Sequence, residues 1–293
     1  MRILAWVGVS IILGALGACA GGGGNGGFEQ AVAASSSPLV VLDLVTGKVT
    51  YSADIVDLQA NPKYRKEQIV FRRIRGGGTT LGAPATEGYA EIDEYDRNRK
   101  GTHSPGERMV AVFELTQAQY AILAGPAPGA APWIQSNFLE SGPAGDSKPA
   151  FGLSSELVKD LLRNYAARTG VRLRLPSADE WEDSCRAGSK ALFSWGSQVE
   201  GALPEAQAVV RRSTAPPVLT SVGSLEPNAF GLFDMHGNVW ELTSDVSGDV
   251  AGQAVICGGS WYQSSLQARC ANRSAVPVSL GHPLVGARLI LTP

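Results

Sequence analysis

The chain has 293 residues and a mass of 30.7 kDa, with 25 basic and 27 acidic residues for a formal charge of −2. That length buries a sizeable core and excludes a disordered chain or a miniprotein; the near-neutral balance leaves no global field to recruit nucleic acid or acidic lipid. Charged residues are only 18%, whereas 35 Gly and 17 Pro favour a loop-rich fold of short elements over a helical bundle.

Arg2 gives a positive start to the apolar run Ile3 to Leu16, which at about fifteen residues is shorter than the roughly twenty that cross a bilayer. Residues 1–18 therefore read as an export signal. The run closes on Leu16-Gly17-Ala18-Cys19, which resembles the lipobox of bacterial lipoproteins and implies cleavage before Cys19 with diacylglycerol on its thiol; an ordinary cleavage after a small residue is the alternative. Residues 19–37, Gly-rich at 20–27 and with Ser35 to Ser37 at the end, form a tether that cannot pack. No Asp follows Cys19, so the same resemblance implies an outer-membrane lipoprotein of the bacterial cell envelope, touching the membrane through its lipid anchor only.

Leu39–Leu44 and Lys48–Ser52 flank Thr46-Gly47 and read as a hairpin, an N-terminal extension over residues 38–67. Gln68–Ile74 is a further strand, and the polar stretch Thr79–Gly106 reads as a surface loop. Met109–Glu114 is an apolar stretch before a short helical pattern over Thr116–Leu123; residues 124–150 return to Ala, Pro, Gly and Ser. Across Ser155–Thr169 the positions Leu157, Val158, Leu161, Leu162, Tyr165 and Ala166 share one helical face, and Gly170 stops the helix. Ser177-Ala-Asp-Glu180 is a capping box that starts a second helix running to about Arg186, because the Ser hydroxyl and the Glu carboxylate each satisfy an otherwise orphan backbone N–H. Gly231–Met235 and Ala254–Cys257 read as short strands.

Three segments then carry a family resemblance: Arg174–Glu182 (R-L-P-S-A-D-E-W-E), Pro227–Glu241 (P-N-A-F-G-L-F-D-M-H-G-N-V-W-E) and Gly258–Trp261 (G-G-S-W). In this order they resemble the signature blocks of the formylglycine-generating-enzyme, or sulfatase-modifying-factor, domain. Phe71–Ile74, Phe113–Tyr120 and Gly286–Arg288 echo weaker family segments. The resemblance spans residues 68–293 and implies an α+β, C-type-lectin-like fold with few helices, short strands and much irregular structure.

The resemblance also implies functions for particular positions. Asn238 and Glu241 match the family turn that holds calcium, where an amide oxygen and a carboxylate converge on a hard cation; a turn closed by hydrogen bonds alone is the alternative. A second calcium position of some relatives has no Asn or Asp here in Ala206–Thr214. Enzymes of the family oxidise a substrate cysteine with copper held between two thiolates shortly after G-G-S. The matching stretch Tyr262–Ala268 contains no cysteine: Gln263 stands at the first position and the second falls near Ala268, so the copper chemistry is not expected. With Cys19 assigned to lipid, three thiols remain, and the family match pairs Cys185 with Cys270 in a structural disulfide, leaving Cys257 as a buried, inert thiol, with a reactive one the alternative. Closing that loop of about eighty-five residues is worth roughly 4 kcal/mol in the chain-entropy model.

No other motif carries chemistry. Ser260 lies in no nucleophile elbow, the glycine runs lack phosphate-loop context, and His236 with Asp234 and Glu241 makes only a weak acid–base set. His103, His236 and His282 lie far apart in sequence, so no zinc or iron site has a local signature. The leading expectation is a non-catalytic binding or structural module for an envelope protein or glycan. Its contact surface is taken as Trp261, Tyr262, Gln263, Arg269 and Arg273, with the segment Val276–Pro283 beside it. The alternatives are a sulfatase-modifying oxidoreductase with an altered site and a variable ligand-binding protein of a diversity-generating retroelement.

Overall fold

The computed structural model describes residues 37–82, 101–126, 131–134, 144–197, 208–210, 218–248 and 251–293. The export signal, Cys19 and nearly all of the tether lie outside the described residues.

Among the described residues, two sheets hold the molecule. The first has six strands in the order β2-β1-β3-β6-β12-β7: β1 Leu39–Asp43, β2 Val49–Ser52, β3 Gln68–Ile74, β6 Arg108–Ala111, β7 Arg172–Arg174 and β12 Ile290–Thr292. The β1–β2 hairpin forms as the sequence predicts, but it is no appendage: β1 pairs antiparallel with β3 from Leu39↔Arg72 to Asp43↔Gln68, so residues 38–67 share the sheet of the main domain. The second sheet has the order β10-β9-β8-β11, from β8 Trp240–Val246, β9 Gln253–Cys257, β10 Arg273–Pro277 and β11 Val285–Ala287. Its β8–β11 pair is parallel, placing Gly286 opposite Glu241. A small third sheet, β4 Thr79–Leu81 with β5 Gly101–His103, occupies the ends of the stretch expected to be loop; single short strands of polar residues give no periodicity to read.

Four helices lie among the described residues: α1 Lys63–Lys66, α2 Gln117–Ala124, α3 Ser155–Thr169 and α4 Ala178–Arg186. Their ends follow sequence chemistry. Thr116 and Gln119 form a capping box on α2, the Ser154 hydroxyl caps α3 at Leu157 N, and Gly170 takes the left-handed φ of +75° that ends it. α4 begins at the Ser177/Glu180 box, and Arg174 clamps the same Glu180 carboxylate at 2.7 and 2.8 Å. α3 buries Val158, Leu161, Leu162 and Tyr165 in the largest apolar cluster, which joins both sheets. α4 buries Ala178, Trp181 and Cys185 in a second cluster with Leu232, Met235, Cys257 and Cys270.

Gly231–Met235 is not a strand. Asp234 has φ +59° and Gly231 φ +76°, and Asn228 accepts from the backbone N–H groups of Phe230 and Leu232, so the segment is an irregular turn closed by a side chain.

Candidate functional site

The second sequence block ends in a turn that the fold can build only with glycine. A Cβ on Gly237, at φ +104°, would lie 2.0 Å from the Val209 carbonyl oxygen, which itself accepts from Asn238 N. This close approach sends Asn238, Val239, Trp240 and Glu241 into the interior. Glu241 is 1% exposed and its carboxylate meets Arg288 Nη2 at 2.7 Å, Arg288 Nε at 3.0 and 3.1 Å, and Trp181 Nε1 at 2.6 Å. Arg288 spends its remaining donors on the carbonyls of Ala111, Val112 and Phe233. One ion pair thus ties together α4, β8, the segment after β6 and the loop before β12, with every donor of the guanidinium used.

Asn238 serves a neighbouring carboxylate. Its Nδ2 donates to Glu114 Oε2 at 2.6 Å, its Oδ1 accepts from Thr220 N at 3.1 Å, and the other Glu114 oxygen accepts from Val239 N. Burial, with Asp234 and Glu241 close by, pushes the Glu114 carboxyl well above the usual carboxylate range. Calcium does not fit these residues. The Glu241 oxygens are satisfied by a guanidinium and an indole, Asn238 faces Glu114 and Thr220, and an Arg⁺ occupies the position from which a cation would have to approach the carboxylate. Hydrogen bonds among protein groups close the turn.

The third block forms the turn expected to carry the chemistry. Gly259 has φ +72° and its Cβ would strike the Gln267 and Ala268 backbone at 2.9–3.0 Å. Gln263 Oε1 accepts from Trp240 Nε1 at 2.5 Å and from Ser260 Oγ at 3.0 Å. An indole N–H can only donate, so these contacts fix the amide with its oxygen inward and its NH₂ directed away from them. Ser265–Ala268 is a 3-10 turn, and Ala268 is 1% exposed. The donors present at the two family copper positions are an amide and an alanine, a set that does not fit Cu(I).

The predicted contact surface divides. Tyr262 is 40% exposed and Gln263 is half-buried, whereas Trp261, Arg269 and Arg273 are buried. Arg273 pairs with Asp179 at 2.9 Å and Glu182 at 3.1 Å, and Arg269 Nε donates to Leu266 O at 2.7 Å. These two arginines are internal braces, because a guanidinium reading a partner would need solvent access. Of the segment Val276–Pro283, residues 279–282 are exposed, with Leu280 at 63%, whereas Val276 is buried in β10.

Sequence distance had concealed one cluster. Cys185, His236 and Cys270 bring their ligand-capable atoms within 4.8 Å of one another, the one such trio of metal-capable side chains among the described residues. The two Sγ atoms lie 2.7 Å apart as free thiols. His236 Nδ1 donates to Ala268 O at 2.8 Å, and Nε2 accepts from Ser194 Oγ at 3.0 Å and Ser194 N at 3.3 Å, so its lone pair is already used. Burial lowers His236 to about 4 and raises Cys185 well above its usual range. Neutral imidazole and protonated thiol are the forms this site favours, and the nearby Asp234 Oδ2 accepts from Gly223 N at 2.6 Å. Cys257 is fully buried and its thiol is pushed up to about 12.

Glu114 and Arg288 were not singled out by sequence reading as site residues, although a Glu closing the apolar run Met109–Phe113 was the available signal. Ser194 and Thr220 gave none.

The architecture is that of the C-type-lectin-like, formylglycine-generating-enzyme fold. The solved structure of PvdO from Pseudomonas aeruginosa superposes with a TM-score of 0.66 at 22% identity, covering 76% of this chain and 94% of that one. The profile of the sulfatase-modifying factor enzyme 1-like domain matches residues 140–293, more than half the chain, and the chain belongs to that family. The mouse (Mus musculus) formylglycine-generating enzyme is 37% identical over 89 residues, 25% of this chain and 22% of that one. Mouse inactive C-alpha-formylglycine-generating enzyme 2 is 32% identical over 104 residues, 31% of this chain and 32% of its own length. The chain thus aligns with between a fifth and a third of the length of these curated relatives.

Proposed function

We propose that the protein is a non-catalytic member of this family, a binding or structural module exported to the bacterial cell envelope and held there by a lipid on Cys19. The single observation that carries the non-catalytic reading is the Gln263 amide, locked by Trp240 and Ser260 at the position where the family's first copper thiolate stands. With no thiol between Trp261 and Arg269, soft-metal oxidation of a cysteine has no ligand set. A mouse relative that carries the word inactive in its name is consistent with loss of activity on a retained scaffold.

The contact face consists of Tyr262, Gln263 and the exposed segment 279–282, where an aromatic ring and amide donors suit a protein or glycan partner. The lipobox-like Leu16–Cys19 and the Gly-rich stretch behind it support anchorage with the domain held clear of the bilayer.

Two measurements test the reading. A C-x-P-x-R peptide incubated with the protein and copper should show no formylglycine mass shift; conversion abolished by a chelator would return the chain to the enzymes. Cys19→Ala should release the protein from membranes or block its processing, and unchanged fractionation without palmitate labelling of the parent would remove the lipid anchor.

A further inference from the structure

Away from this face, α3 and β7 enclose a surface cleft of about 510 Å³. Its floor is carbon: Leu162 and Ala166, one turn apart on α3, face Leu173 and Leu175 across the gap. Four of its ten lining residues, Lys159, Arg163, Arg172 and Arg174, are cationic and none is acidic, in a chain whose basic and acidic residues number 25 and 27. The size lies in the range of small-molecule sites, and the one-signed rim is a local departure from a balanced composition.

Geometry arranges the rim for a single anionic head. Lys159 and Arg163 are four residues apart on α3, and so point their charges along one face beside the Leu162–Ala166 row. Among the described residues Lys159 has no carboxylate partner. Arg163 meets Asp160 at 2.8 Å, but side chains 73% and 60% exposed make that a weak, exchangeable pair. Arg174 is held by Glu180, outside the cleft, and Arg172 donates to Pro293 O, which keeps both guanidinium groups fixed at the β7 side.

The geometry points to a second binding site, independent of the Tyr262 face, for a free long-chain carboxylate. Its acyl chain lies on Leu162, Ala166, Leu173 and Leu175 and its carboxylate sits between Lys159 and Arg163. The apolar floor takes the chain, and a lining with four cationic side chains and no acidic one disfavours cationic amphiphiles.

Titration calorimetry with octanoate, decanoate and dodecanoate below their micellar concentrations tests the assignment. Affinity should rise about fourfold per added CH₂ while the floor is being covered. Dodecanoate should bind once, and dodecyltrimethylammonium should bind at least tenfold more weakly. Ala166→Phe, which fills the floor from a half-buried helix position, and the double variant Lys159→Gln/Arg163→Gln, which removes only charge, should each weaken dodecanoate at least tenfold. Methyl NMR shifts of Leu162 and Leu173 in the unsubstituted protein locate the site if a variant fails to fold. Equal affinity for the two amphiphiles, unchanged binding in both folded variants, shifts elsewhere, or binding only to phosphatidylglycerol vesicles would each overturn the proposal.

Discussion

The Glu241–Arg288 hub and the Gln263 turn lie on the same second sheet and its flanking loop, and they have opposite chemistry. At the hub every charge is buried, paired and multiply hydrogen-bonded. At the turn the Gln263 amide is neutral, half-buried, and held by one hydroxyl and one indole. Breaking the hub leaves an uncompensated buried ion, so its residues are constrained by folding itself; the turn carries no such penalty, and its reactive groups can be replaced while the scaffold persists. The hub is therefore held by folding, and the turn is free to vary.

The comparison breaks if the hub tolerates change. Arg288→Met should cost about 3–5 kcal/mol, since it strands Glu241 at 1% exposure, and denaturant titration should find the variant largely unfolded or unable to accumulate. A midpoint within error of the parent would remove the hub from its central place.

Next in size is the cysteine pair. In an oxidising compartment we expect Cys185 and Cys270 to bond, closing 85 residues and stabilising the fold by roughly 4 kcal/mol relative to the reduced protein. Non-reducing peptide mapping should return that linkage, with Cys257 alkylated only after unfolding. A bridge to Cys257 would displace the assignment.

A third test uses pH. Asp234 is raised to about 6, chiefly by burial, so its folded form holds a proton the unfolded chain has released: its contribution is full below about pH 4 and is lost as pH climbs through 6. His236 is lowered to about 4 by burial, so its contribution is full above 6.5 and is lost as pH falls through 4. The two slopes oppose across pH 4–6, each limited to about 1.4 kcal/mol per unit, and Glu114, also raised by burial, adds to the falling one. Relative to the parent, Asp234→Asn, an exchange that suits the positive φ, should remove part of the fall with pH, and His236→Gln should make the fall steeper. Identical profiles for the three proteins would show that neither group is shifted.

The smallest effects belong to the turn. Gln263→Ala loses two hydrogen bonds at a half-exposed site and should cost about 1 kcal/mol. Gln263→Cys should give no formylglycine, because one thiolate does not make the pair. Calcium at millimolar concentration should leave the Tm unmoved, since the oxygens of Asn238 and Glu241 already accept from protein donors; a rise of several degrees would reinstate the cation.

Helix boundaries were legible because capping is local: Ser177/Glu180 and Gly170 announce themselves within four residues. The strands β7, β10, β11 and β12 were not, since three to five residues carry too little alternation and their pairing partners lie far along the chain. The candidate copper segment could be judged from residue types alone, as the lack of a thiol needs no geometry. The surroundings of Glu241 were not legible in the same way, since they depend on Arg288, 47 residues away, and on Trp181, 60 residues away. Likewise Arg269 and Arg273 looked like surface cations until Asp179 and Glu182 were placed beside Arg273 and the Leu266 carbonyl beside Arg269.

The position of β12 has a kinetic consequence. Ile290–Thr292 pairs with β6 on one side and β7 on the other, so the strand made last among those described is an interior member of the first sheet. A chain emerging in order from a ribosome or a translocation pore can form the hairpin, α3 and α4, yet β6 and β7 must wait with open edges until residue 290 arrives. Folding of this sheet is then gated by synthesis of residue 290, its rate set by a contact spanning about 180 residues, and the waiting intermediate is the species most exposed to proteases and to edge-to-edge association.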